Sequence, residues 1–165
     1  MALFYDVNEN DRKRLKFLRR VIKKEIKHLL YSQQQVFSQP FTREQADSLV
    51  TDNRFAEKVE AFISRFSRVQ DTIGDKLLPL WLKIQGEKVG SFIDNLDKAE
   101  RLGVLPSVDT WMMLRQLRNQ LVHEYIEDME ILTSAMQAVY EQHHILIDLF
   151  ENITEDLDRR EWGGK

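Results

Sequence analysis

Arg118-Asn119, then His123, then Tyr125 is the stretch of this 165-residue chain best equipped for chemistry. On a helix, Leu117, Leu121 and Tyr125 fall within about 60° of the direction of Leu114, and Arg118 lies only about 40° from it. A guanidinium so near an apolar stripe is costly unless a carboxylate or a phosphate meets it. Asn119 and His123 are i,i+4 neighbours on another face, so one can orient the other. Spacing alone leaves two readings open. Arg118 pairs with Asp or Glu inside the fold while His123 caps or packs, or the two residues handle phosphate.

Other chemistry has fewer candidates. The chain has no Cys, which excludes disulfides, Cys-ligated zinc, Fe–S clusters and thiol nucleophiles. It has no Gly-rich phosphate loop, HExxH or nucleophile elbow. His28 reads as a packing or surface residue. His143 and His144 point about 100° apart on a helix and need a third group to chelate a metal, so no metal and no cofactor is expected. Arg68, Asp71 and Asp75 share a polar face that is either solvated or lines a groove or subunit contact.

The elements that must position these residues are helices. Only 6 Gly and 3 Pro punctuate the chain, leaving few turns for hairpins, while apolar residues recur at steps of three and four. A first helix opens near Asn8 with Leu15, Leu18, Ile22, Ile26 and Leu29, and Ser32-Gln33-Gln34-Gln35 with Ser38-Gln39-Pro40 breaks it. Thr42 to Gln45 has capping-box spacing. The second helix holds Phe62, Phe66, Val69, Ile73, Leu77 and Leu80 in one narrow stripe. Gly86 and Gly90 interrupt the pattern, and a third helix over Phe92 to Leu102 stops at Gly103 and Pro106. A fourth starts at Ser107 and carries Trp111, Leu114, Leu117 and Leu121. A fifth runs from Leu132 to Ile153 after Glu127-Asp128. The expected fold is all-α, an antiparallel up-and-down bundle of about five helices in one domain. Residues 1–41 form the N-terminal helix and connection, 42–158 the bundle and 159–165 a frayed tail. With no apolar run near the ~18 residues that span a bilayer, a soluble cytoplasmic protein with no membrane contact is expected.

Arg118-Asn119, His123 and Tyr125 together resemble the signature of the HEPN superfamily, and in particular of the HepT-like toxins: Arg, four residues, His, one residue, Tyr. The resemblance extends to Glu60–Asp71 with Gly74-Asp75-Lys76-Leu77 and to Ala99-Glu100-Arg101-Leu102-Gly103, covering roughly residues 55 to 155.

What the resemblance implies is a metal-independent endoribonuclease toxin of a toxin–antitoxin system. It would work as a homodimer whose two motif helices face each other across a cleft. An imidazole titrates near neutral pH, so His123 can take a proton from the ribose 2′-OH or give one to the leaving 5′-oxygen. Arg118 offers a fork of donors to the phosphate. Asn119 orients the imidazole or contacts phosphate, with Arg115 and Asp71 in support. By the same resemblance Tyr125 accepts AMP from an MntA-type nucleotidyltransferase antitoxin, which blocks the groove. The net charge of −3 means that RNA, of the tRNA or mRNA class, must meet a local patch from Arg115, Arg118, Arg65 or Arg68 and the basic N-terminal helix. The runner-up is a non-catalytic subunit that binds nucleotide or substrate for such a transferase. A structural helical adaptor is the third reading.

Overall fold

A computed structural model of the chain describes residues 7–123 and 127–162. Every regular element among them is helical: α1 (Glu9–Val36), α2 (Arg43–Ser48), α3 (Asn53–Asp71), a π turn (Thr72–Leu77), α4 (Leu78–Ile84), α5 (Phe92–Arg101), α6 (Val108–His123), α7 (Met129–Gln142) and α8 (His144–Arg159). No helix among the described residues is long and apolar enough to cross a membrane.

Asn8 starts α1 by accepting the Asp11 amide at 2.8 Å. The polar run Ser32–Gln35 does not break this helix. Ser32 is buried and its hydroxyl meets Arg65 Nη1 at 2.6 Å, so a tertiary partner satisfies a side chain expected to end the helix. Thr42 accepts the Gln45 amide, as the spacing predicts, yet the helix it opens lasts only six residues. Asp52 then caps α3.

From Asn53 to Ile84 the chain is one rod interrupted by the π turn, whose wider winding shows in the bond from the Leu78 amide to the Ile73 carbonyl. Pro79 follows immediately. A proline in a straight α-helix lacks a donor and presses on the carbonyl four residues back, and a turn already wound wide relieves both. The predicted stripe from Phe62 to Leu80 is buried throughout.

Ser107 contacts the Asp109 amide at the start of α6. At the end of α5 the chain turns through Gly103 (φ +82°), as expected of a glycine cap. The fifth predicted helix is two helices, α7 and α8, with the junction at His143. The tail is not frayed throughout. Glu161 takes a left-handed backbone (φ 59°) that turns Trp162 into the core, with its amide on the Leu157 carbonyl at 3.0 Å.

Ion pairs and hydrogen bonds give the packing directions. Ser32 and Thr72 bracket the seam of α1 with the rod, with Arg65 opposite Ser32 and Glu25 opposite Thr72, so α1 and α3 run antiparallel. Arg118 meets Asp71 and Arg115 meets Asp75, which sets α6 antiparallel to the rod. Arg19 grips Asp158 with two bonds of 2.8 and 2.9 Å, fixing α8 against α1. One connected apolar core reaches from Val7 to Trp162.

Candidate functional site

Leu114, Leu117 and Leu121 bury one side of α6, and the same packing holds Arg118 against the end of α3. Arg118 Nη2 is 2.8 Å from Asp71 Oδ2, and Nη1 is 3.2 Å from Asn119 Oδ1. The Nε–H is buried with no partner among the described residues. With 24% of the Arg118 side chain and 39% of Asp71 exposed, solvent screens the pair to about 1 kcal/mol or less. It orients the guanidinium more than it stabilises the fold.

Arg118 thus pairs with a carboxylate, that of Asp71, at a half-buried position. Asn119 accepts from Arg118 through Oδ1 and makes no hydrogen bond to His123 among the described residues. Arg115 lies one turn away. It stacks its guanidinium 4.6 Å over the Phe92 ring, with Nη1 4.0 Å from Asp75 Oδ1.

His123 is the last described residue of α6 and is exposed. It stands five helical steps from Arg118, about 7.5 Å along the axis and 140° around it, so α6 points the two side chains in different directions. Tyr125, the expected AMP acceptor, lies outside the described residues.

A groove of about 550 Å³ opens beside Asp71. Ser64, Arg68, Thr72 and Lys76 line one wall, and Leu121 and Val122 from the end of α6 form the other. Behind it, Thr72 Oγ1 lies 2.9 Å from the Arg68 carbonyl and 3.2 Å from Glu25 Oε1, so its one proton is shared. Burial pushes the Glu25 carboxyl above the usual range, opposed by that hydroxyl and by the charges of Arg68 and Lys76. Arg65 clamps α1 through Ser32 and the His28 carbonyl, and lines a small pocket together with Arg68, Glu25 and His28.

Glu25, Thr72 and Lys76 were missed in the sequence. The signal available was Ser64, Arg68 and Asp71 on the side of the rod away from its apolar stripe, with Thr72 on the flank; Lys76, about 40° from Phe62 at α-helical spacing, gave none. Among the described residues no three His, Asp or Glu side chains converge as a metal site. Compared with family models, with curated proteins and with solved structures, the chain has no match in any of the three.

Proposed function

We propose that this chain is a metal-independent endoribonuclease, the toxin of a toxin–antitoxin pair, active as a homodimer and silenced when an MntA-type nucleotidyltransferase attaches AMP to Tyr125. The observation that supports it most is Arg118: a guanidinium held from two sides, by Asn119 and by Asp71, which lines the groove, with no partner for its Nε–H among the described residues, on the helix that also carries an exposed His123. In the reaction, the ribose 2′-oxygen attacks phosphorus as His123 takes its proton. The imidazolium so formed gives that proton to the leaving 5′-oxygen, which departs as a hydroxyl, and a 2′,3′-cyclic phosphate remains. Arg118 neutralises the charge that builds on the phosphoryl oxygens. On this reading the two residues, separated on α6, meet at one phosphate because His123 comes from a second copy of the chain.

The test is RNA cleavage by the purified protein in EDTA. Arg118→Ala and His123→Ala should each abolish cleavage while helical circular dichroism stays unchanged. Wild-type rates in either variant, or loss of cleavage on chelation, overturn the reading. Intact mass after co-expression with the transferase should show added AMP mapping to Tyr125.

A second reading is favoured by the occupied state of Arg118 and by the groove, whose Arg68, Lys76 and hydroxyls suit a nucleotide. In it the chain is a non-catalytic subunit that holds nucleotide or substrate for the transferase. Calorimetric nucleotide binding with no RNA cleavage selects it.

A further inference from the structure

Charge is very unevenly distributed along this chain. Residues 12–27 hold nine Lys or Arg against the single acid Glu25, so the other 149 residues carry 15 basic side chains against 26 acidic ones. All nine bases belong to α1. Its apolar side, Leu15, Leu18, Ile22 and Leu29, is buried against the rest of the fold. On its outer side Lys13, Phe17, Arg20, Lys24, Lys27 and Tyr31 lie within about 40° of one direction and extend about 27 Å along the helix. All six are exposed. Phe17 is 52% and Tyr31 59% exposed, and the four cations make no salt bridge among the described residues.

We propose that this face of α1 is a docking strip for an unpaired RNA strand. The cations match a row of phosphates, and the two rings, about 21 Å apart along the axis, offer faces on which bases stack. Other occupants fit less well. A membrane needs an apolar face to bury, and that of α1 is already spent on the core. A protein partner needs a contiguous apolar centre, whereas here cations separate the rings. The choice of RNA over DNA rests on the functional reading above. The strip itself rests on charge and exposure.

Fluorescence anisotropy with labelled oligouridine, and with oligothymidine, which has no 2′-OH and is not cleaved, tests the strip. The wild type should bind both. Arg20→Ala/Lys24→Ala/Lys27→Ala should weaken binding at least tenfold and make the plot of log Kd against log salt shallower by about two, for three lost phosphate contacts. Phe17→Ala/Tyr31→Ala should weaken it about tenfold with the salt slope unchanged. Equal affinity in all variants overturns the strip. So does a wild type that takes up duplex RNA or phosphatidylserine vesicles but not oligouridine. Absent cleavage with intact binding removes the nuclease reading and leaves the strip; cleavage without strip-dependent binding does the reverse.

Discussion

His143 stands at the junction of α7 and α8, where burial opposes a second proton on its ring. Its ring is buried, and Nδ1 lies 2.9 Å from the Tyr140 carbonyl and 3.1 Å from that of Val139, so Nδ1 carries the hydrogen and donates it. Burial lowers the imidazole below its usual range against the pull of those carbonyls, and neighbouring His144 adds to the lowering. The unfolded chain therefore binds a proton first as the pH drops. Stability is full above about pH 6.5 and is lost below it, toward the lower folded value. Thermal melts should show the wild type losing more stability than His143→Gln between neutral and mildly acidic pH; parallel losses contradict this. At the same scale, the need of Arg118 for a partner was legible in its place near the apolar stripe. That the partner is Asp71 was not, since it depends on which distant helix packs alongside.

Gly74 sits within the π turn, where a Cβ would stand 3.0 Å from Cζ2 of the fully buried Trp111. In an open helix, Gly→Ala gains about 0.5–1 kcal/mol. Pressing a methyl on a fixed indole costs about 1–3 kcal/mol. The clash wins, and Gly74→Ala should lower Tm by about 2–4 °C for a net loss of about 1 kcal/mol; a higher Tm would mean that Trp111 yields. Helix identity was largely readable from spacing: the buried stripe from Phe62 to Leu80 and the starts at Asn8 and Ser107 are where the residues put them. The π turn was not readable, because Thr72–Leu77 keeps a helical apolar pattern and differs only in winding. Nor was the survival of α1 through Ser32–Gln35, which depends on Arg65 arriving from another helix, or the break at His143, which leaves the apolar period almost undisturbed.

At the scale of the molecule, the last described residues close the fold. Trp162 is buried, Arg160 stacks 4.8 Å from its ring, and the Glu161 carbonyl faces Arg12 on α1. Trp162→Ala should cost about 3 kcal/mol, read as a Tm lower by roughly 6–12 °C in the same single transition. A change under about 1 °C would show that the tail adds little to the fold. Flanked by charges and two glycines, one tryptophan is too little pattern to announce a docked end. The other large-scale feature is the cationic side of α1 on a chain that is otherwise acidic. An object of this kind has an electric moment that its total charge conceals. In dilute buffer it turns before it touches, meeting an anionic body helix-first and a cationic one from behind. Added salt shortens the reach of that alignment to within about 10 Å.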